Sequence, residues 1–517
     1  MNFKRIICAV LVLTLLLGGC RTELSDLQGS VQGGLANSSA PEDQEADFEP
    51  VTSVRIPYDE EDGLHPYACK TVANRYICGL IYGSLVTLYP DFSSALSAAE
   101  SVAPSAGNTV WEIALRRDLR FPDGSPLTAD DLLYSILQAG AVGSYYRSSL
   151  ESVSSAVKSG DFSVTVTLSA ADRYFENLLV FPLIKDGTAA APTALPGRYT
   201  LSEDGARLLC NSGAAVQTVE LVKLADHGML LQEMRLGVYD IIYSDDPAGI
   251  SVTSVGGMET MPTTNLVYVG MNSGRALLSG AGFRRALSLA VDAESLCETV
   301  YRGYAEPANG PFSPVFYDAA RLEPYPCDLQ AANQMLDELG YKNRSAGGYR
   351  LAGQSELSLE ILVCAGAEEK AELAEALAET VESLGIHASV TALAYQSYLA
   401  ALGAGRYDLY LAEVRLGVDM DLTKLVAAAG YPGSLCYGAP ASNDLALAWA
   451  GYESGTMSAA AFREAFDAVM PFLPVCYRQS AAVYSRDFYF EIGATEQDLF
   501  HGILNWGSRG ADSASSE

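Results

Sequence analysis

From residue 358 the chain alternates between short apolar runs and helical patterns, and this alternation constrains the fold more than any other feature. "SLEILVC" (358–364) is a continuous apolar run, and "EEKAELAEALAETVESLG" (368–385) has leucine and valine at helical spacing before a glycine stop. The runs at 386–393 and 407–414 are again strand-like. Strands that alternate with helices predict a parallel sheet and an α/β fold. Ligands bind at the carboxyl ends of such strands, so we expect a ligand near the loop 415–422.

A second local unit is encoded by "RRDLRFPDGSPLTADDLLYSI", residues 116 to 136. Residues 116–121 alternate well enough to predict a strand, and Pro122-Asp123-Gly124 has the chemistry of a tight turn. Thr128 precedes Asp131 by three residues, the spacing of a capping box ahead of an apolar helix. The unit is therefore predicted to run strand, turn, capped helix.

Two further helical segments carry start and stop signals. Phe283 to Tyr301 has the apolar pattern of two helices, with a break and a new cap at Asp292. Asp328 is predicted to cap another helix, which Gly340 ends.

The N-terminus has the features of an export signal. Lys4 and Arg5 precede an apolar run of about a dozen residues (6–17), which is shorter than the roughly 20 residues of a membrane-spanning helix. Small residues then lead to Cys20, an arrangement that resembles a bacterial lipobox. We interpret residues 1–19 as a lipoprotein signal peptide and Cys20 as the lipid attachment site. An ordinary signal peptide or a marginal membrane anchor is the alternative.

Residues 20–50 are poor in large apolar side chains and rich in Ser, Gly, Glu, Asp and Gln. Such a segment buries too little surface to offset the entropy of ordering it. It is predicted to be a flexible tether between the lipid and a globular part.

Charge and motifs exclude several functions. The chain has 33 Lys and Arg against 63 Asp and Glu, a net charge of −30, so nucleic acid phosphates repel it and no nucleic acid partner is expected. Neither a phosphate-binding P-loop, nor G-x-S-x-G, nor H-E-x-x-H occurs. The histidines lie far apart and are not expected to bind metal: His65, His227, His387 and His501. No cofactor, no metal and no enzymatic activity are therefore predicted.

Ten cysteines are present, and eight remain after Cys8 and Cys20 are set aside. An even number outside the cytoplasm permits disulfides, but their pairing does not follow from the sequence. Cys364, within an apolar run, is predicted to be a buried structural thiol.

Asp419 and Asp421 are the strongest candidates for ligand contact, because they follow a buried strand in the loop expected to line a cleft. The alternative role of Asp421 is to cap a helix. Asp130 and Asp131 stand in the first turn of a predicted helix, where the helix dipole favours negative charge. The acidic run 59–62 is interpreted as a solvated loop.

The unit at 116–136 resembles the hallmark region of the family 5 extracellular solute-binding proteins, the peptide- and nickel-binding lipoproteins of ABC importers. The matching positions are Phe121, Asp123, Gly124, Pro126, Thr128, Ala129 and Asp131, with Leu132 in place of the usual valine. Similar segments follow in the family's order: "LVYVGMNSG", "FRRALSLAVDAESLCETVYRGYAEPANGPFSP" and "DLQAANQMLDELGY". The resemblance covers most of residues 75 to 480.

The resemblance implies a two-lobed α/β fold of the periplasmic-binding-protein type, with an extra α+β domain and a ligand cleft between the lobes. The chain would cross between the lobes near residues 269 and 474. The implied divisions are lobe I (51–74, 183–268 and 475–510), domain II (75–182) and lobe II (269–474).

In peptide binders of this family an acid in the loop after the "YDLYL"-type strand pairs with the ligand's amino group, which implies Asp419 or Asp421 here. The family's Gly-Trp segment before that acid is replaced by "EVRLGV". Arg415 is a candidate partner for a ligand carboxylate, with a structural salt bridge as the alternative. Tyr82 is a candidate cleft residue, with a core position as the alternative.

These inferences predict a lipid-anchored protein on the outer face of the cytoplasmic membrane, monomeric, that captures a small peptide and delivers it to an ABC permease. A peptide sensor without transport, a binder of nickel chelates, haem or sugar, and a secreted hydrolase remain the alternatives.

Overall fold

A computed structural model describes residues 51–105, 107–427, 433–486, 488 and 492–506. The predicted signal peptide, Cys20 and the tether at 20–50 lie outside the described residues. Within the described ranges, no helix is both long enough and apolar enough to cross a membrane.

The helices are distributed along the whole described chain. They are α1 Val72–Ile81, α2 Ala129–Ala139, α3 Leu230–Arg235, α4 Ala281–Ala290, α5 Ala293–Thr299, α6 Leu329–Leu336, α7 Glu368–Ser383, α8 Tyr395–Gly403, α9 Asn443–Glu453 and α10 Ala459–Val469.

The strands range from two to fifteen residues. They are β1 Ser53–Tyr58, β2 Val86–Leu88, β3 Ser94–Leu96, β4 Ala99–Pro104, β5 Val110–Leu115, β6 Val153–Gly160, β7 Ser163–Leu168, β8 Tyr199–Leu201, β9 Arg207–Cys210, β10 Thr218–Lys223, β11 Ile241–Ser244, β12 Gly257–Met271, β13 Ala305–Pro307, β14 Leu351–Ala352, β15 Ser355–Glu356, β16 Ser358–Cys364, β17 His387–Leu393, β18 Leu409–Arg415 and β19 Phe472–Tyr484.

The largest sheet has the order β11-β19-β12-β18-β16-β17, with β13 paired to β19. β16 runs parallel to both β17 and β18, and α7 and α8 connect these strands, so the predicted parallel α/β unit is confirmed. β12 and β19 are antiparallel to their neighbours, which makes the sheet mixed. Two four-stranded sheets accompany it, in the orders β1-β10-β9-β8 and β4-β5-β7-β6.

β12 and β19 form a long antiparallel ribbon. Their register runs from Gly257 opposite Tyr484 to Gly270 opposite Phe472, with irregularities after Pro262 and Val267. The two positions at which the chain was predicted to cross between lobes lie beside each other here, since Tyr268 faces Pro474.

The ribbon contributes to two separate apolar cores. Met261 and Ala482 pack in the core that also contains β5, β7 and α2. Val267 to Met271 and Phe472 to Tyr477 pack in the other core, around β16 and α7. Two cores joined by a ribbon fit the two-lobed architecture; the lobe and domain boundaries remain a prediction.

The predicted helix caps are present. Thr128 and Asp131 form a capping box at the start of α2, and the Asp292 side chain accepts a hydrogen bond from Ser295 N at the start of α5. Asp328 accepts from Ala331 N, and Gly340 has a φ of 98°, a conformation that suits a residue without Cβ.

The prediction of a strand at 116–121 is wrong, because β5 ends at Leu115. Beyond it the backbone bonds to the turn itself: Phe121 N donates to Ser125 O and Leu127 N to Leu119 O. The prediction of a buried thiol at Cys364 is also wrong, because this side chain is half-buried. The eight described cysteines carry free thiols, and the sulfurs of Cys69 and Cys78 are 4.0 Å apart.

Candidate functional site

Two adjoining cavities lie where the candidate residues were predicted. One has a volume of about 600 Å³ and is lined by several tyrosines, so we name it the tyrosine cavity. The other, of about 550 Å³, is lined by Asp172, Asp419, Asp421 and Glu453, and we name it the acidic cavity. The two share the lining residues Tyr145, Tyr146, Val180, Arg415 and Gln497. The two cavities therefore adjoin each other across these residues, and we refer to them together as the groove.

Tyr82 lies at the C-terminal end of α1 and lines the tyrosine cavity. Its side chain is buried, and burial raises the pKa of its hydroxyl. Tyr82 is thus a buried residue that also lines the tyrosine cavity, and its contact with a ligand stays a prediction.

Arg415 is the last residue of β18 and lies at the boundary of the two cavities. Its Nη2 is 2.6 Å from Oε1 of Glu496, whose side chain is only 2% exposed, whereas that of Arg415 is 51% exposed. Thr264 N also donates to Glu496 Oε2, over 3.3 Å. The guanidinium is therefore anchored on one side by a structural salt bridge and open to solvent on the other.

Asp419 follows β18 and is buried in the wall of the acidic cavity. Its Oδ1 accepts a hydrogen bond from Asp421 N at 3.3 Å. Burial, and then the neighbouring charge of Asp421, raise the pKa of Asp419 to about 7. This carboxyl is poised to change charge near neutral pH when a cation approaches it.

Asp421 is exposed, and its Oδ1 accepts from Thr423 N at 2.7 Å. The residues that follow form turns rather than the helix that Asp421 was alternatively predicted to cap. Asp419 is therefore the buried acid of the pair, and Asp421 is the exposed one.

The sequence did not indicate two further acids of the cavity, Asp172 and Glu453. Asp172 lies shortly after β7, and Glu453 is the last residue of α9. Glu453 Oε2 accepts from Arg173 N at 3.0 Å, which brings the two segments together. They are distant along the chain and belong to no shared motif, so only tertiary packing reveals them.

The described histidines have other partners. His65 Nε2 lies 2.9 Å from Ala189 O, His227 is paired with Asp59, His387 is paired with Glu356, and His501 packs edge-on against Tyr89. Among the described residues, no three His, Cys, Asp or Glu side chains converge in a way that could hold a metal ion.

The acidic run 59–62, interpreted as a solvated loop, forms a turn whose residues are exposed or half-buried. Asp59 accepts from Glu61 N and Asp62 N, and Asp62 accepts from Thr71 N at the start of α1. These acids stabilise a turn and a helix start away from the groove.

The family profile described as "Bacterial extracellular solute-binding proteins, family 5 Middle" matches residues 96–203 and 212–428, more than half of the chain. The chain belongs to this family. The resemblance of the hallmark region, and the two-lobed fold that it implied, are thereby confirmed.

Individual relatives are distant. The chain is 23% identical over 381 residues to the oligopeptide-binding protein AppA of Bacillus subtilis, covering 65% of this chain and 68% of that protein. The structure of Bacillus subtilis AppA in complex with a nonapeptide covers 89% of this chain and 99% of its own, with a TM-score of 0.55 and 17% identity. The structure of a nickel ABC transporter from Bacillus halodurans covers 87% and 98%, with a TM-score of 0.70 and 18% identity. At these identities the structures establish the fold.

Proposed function

We propose that this solute-binding protein captures an oligopeptide in the groove between its lobes and delivers it to an ABC importer. The observation that carries the proposal is the Asp419 carboxyl, which is buried in the wall of the acidic cavity. No Lys, Arg or His nitrogen of the described residues lies within 4.0 Å of it. A buried carboxylate without a partner costs several kcal/mol, and a ligand amino group supplies the missing cation.

The dimensions of the groove support a ligand larger than an amino acid. Each cavity falls in the usual range for ligand sites, roughly 300–1,000 Å³, and the two adjoin at Arg415. The amino end would lie in the acidic cavity against Asp419. The rest of the peptide would pass Arg415 toward Tyr82. Hydrogen bonds to the peptide main chain, together with side-chain pockets that hold water, would allow peptides of varied sequence to bind.

Delivery to a transporter is supported by the family, and capture by hinge closure of the lobes is a known mode of binding. Anchoring through Cys20 to the outer face of the cytoplasmic membrane, and action as a monomer, complete the proposal. A sensory lipoprotein would use the same groove. Deletion of the gene separates the two roles, since a sensor leaves peptide uptake unchanged.

The decisive experiment is native mass spectrometry of the purified protein, before and after mild denaturation and refolding. A spread of released masses that match peptides supports the proposal and gives the ligand length. One discrete mass of a metal chelate, haem or sugar contradicts it.

A thermal unfolding experiment with a peptide pool complements the mass spectrum. Ligand at about 100 times its Kd adds about 2.7 kcal/mol to the free energy of unfolding. A protein that is recovered empty and that no peptide pool stabilises would also contradict the proposal.

A further inference from the structure

The acidic cavity is lined by more buried carboxyl groups than one ligand amino group can pair with, and its lining cations, Arg415 and Lys424, are paired with other acids. Asp172, Asp419 and Glu453 are only 9%, 8% and 6% exposed, and all three line the cavity. A ligand amine that pairs with Asp419 leaves Asp172 and Glu453 without a cation.

Glu453 is in an unfavourable position for a carboxylate. It ends α9, where the helix dipole is negative and destabilises a negative charge. Its Oε2 accepts from Arg173 N, but its Oε1 is buried and accepts no hydrogen bond from the described residues. A buried carboxylate oxygen that accepts no hydrogen bond is costly to maintain, and Glu453 is one of the residues that line the acidic cavity.

Asp172 lies beside Glu453, because Arg173, the next residue, donates the backbone bond to Glu453. Asp172 Oδ1 accepts from Tyr174 N at 2.8 Å, and no Lys, Arg or His nitrogen of the described chain lies within 4.0 Å of either carboxyl. The nearby Arg173 guanidinium is directed elsewhere, with Nη1 3.5 Å from Asp318 and the group over the Tyr452 ring. Burial raises the pKa values of both acids, and the next cause is the charge of Asp419 for Asp172 and the charge of Asp172 for Glu453.

We propose that Asp172 and Glu453 form a second cation subsite beside Asp419, so that the preferred ligand carries two positive charges at its amino end, as in a peptide whose first residue is lysine or arginine. This inference rests on the proposed function. The α-amino group pairs with Asp419, and the side-chain cation of the first residue pairs with Asp172 and Glu453. Because no three of the described acids converge on one point, the site suits charges spaced along a molecule rather than a single metal ion.

The test is isothermal titration of the purified protein with three tetrapeptides: Lys-Ala-Ala-Ala, norleucine-Ala-Ala-Ala and Ala-Ala-Ala-Lys. Norleucine matches the length of lysine without its charge, and the third peptide moves the charge to the other end. We expect Lys-Ala-Ala-Ala to bind at least about tenfold more tightly than either of the other two peptides. A tenfold ratio of Kd values corresponds to the contribution of one hydrogen bond to a charged group.

Substitutions of the two acids test whether they cause the tighter binding of the lysine peptide. Glu453→Gln and Asp172→Asn keep the oxygens that accept from Arg173 N and Tyr174 N, and each is expected to abolish the tenfold advantage of the lysine peptide. Glu464→Gln, an exposed acid on α10, is the matched control and is expected to leave it unchanged. Thermal unfolding of each variant verifies that it is folded.

Equal affinity for the lysine and norleucine peptides, or an advantage that survives both substitutions, would overturn the inference while leaving the peptide function intact. Failure of all three peptides to bind would instead contradict the proposed function. Calcium or nickel chloride that binds and displaces the lysine peptide would overturn the inference in favour of a metal site.

Discussion

Arg415 and Glu496 form an ion pair, with 2.6 Å between Nη2 and Oε1, at the boundary of the two cavities. The two partners are unequal, because the glutamate is almost fully buried and the arginine is half exposed. The change in the free energy of unfolding when one partner is removed therefore depends on which partner it is.

Arg415→Ala leaves a buried carboxylate without a cation, and we expect it to lower the free energy of unfolding by about 3–5 kcal/mol. Glu496→Gln leaves an arginine that water can solvate, and we expect a loss of about 1 kcal/mol. Urea unfolding measures both, with Arg285→Ala on the exposed face of α4 as the control. Equal losses from the two substitutions would contradict the asymmetry.

Asp419→Asn is expected to weaken binding of a peptide with a free amino group by about 2–5 kcal/mol, because the neutral amide leaves the ligand's ammonium without its partner. The unliganded protein should be no less stable, since no protein cation loses a partner. Titration calorimetry measures the affinity, with Glu464→Gln as the control. N-acetylation of the peptide should weaken wild-type binding similarly and add little to the variant. Unchanged affinity in both Asp419→Asn and Asp421→Asn would rule out the amine site.

Peptide binding is expected to depend on pH through Asp419, whose pKa of about 7 lies above the ordinary aspartate value of 3.8. A bound ammonium favours the ionised carboxyl, so binding releases a proton and the affinity rises about fivefold between about pH 6 and about pH 7. Above this range the α-amino group of the peptide, with a pKa of about 8, begins to lose its own proton and the rise ends. Burial also raises the pKa values of Asp172 and Glu453, which line the same cavity and act in the same direction. Calorimetry in two buffers of different ionisation enthalpy measures the proton release.

The stability of the unliganded protein has the opposite pH dependence. Asp419 holds its proton to a higher pH in the folded state than in the unfolded chain, so its contribution is full below about pH 4 and is lost as the pH rises through about 7. Asp419→Asn removes this contribution, and the variant's melting temperature should fall less than that of the wild type over this range. Parallel curves for the two proteins would contradict the shifted pKa.

Thr128→Ala is expected to lower the free energy of unfolding by about 1 kcal/mol and to leave ligand affinity unchanged. The Thr128 backbone N–H and hydroxyl both donate to Asp131 Oδ2, at 2.9 and 2.6 Å, and Thr128 lines neither cavity. Chemical denaturation and titration calorimetry measure the two effects, with the exposed Thr52→Ala as the control. A loss of affinity would show that the hallmark unit does more than stabilise the fold.

Local features were predictable because their causes are local. The capping box at Thr128 and the parallel strands around α7 follow from the spacing of polar and apolar side chains along a few turns or strands. The strand predicted at 116–121 failed for a related reason, since alternation alone does not reveal that the backbone bonds to the adjacent turn.

The amino-acid sequence by itself determined the α/β class, the order of the family's segments and the placement of Asp419 after a buried strand. Only the tertiary structure decided which side chains meet that residue. Asp172 and Glu453 reach the acidic cavity, and Glu496 reaches Arg415, from segments far apart in the chain. Such contacts depend on how whole layers pack against each other, and the spacing of residues within one segment carries no information about that packing.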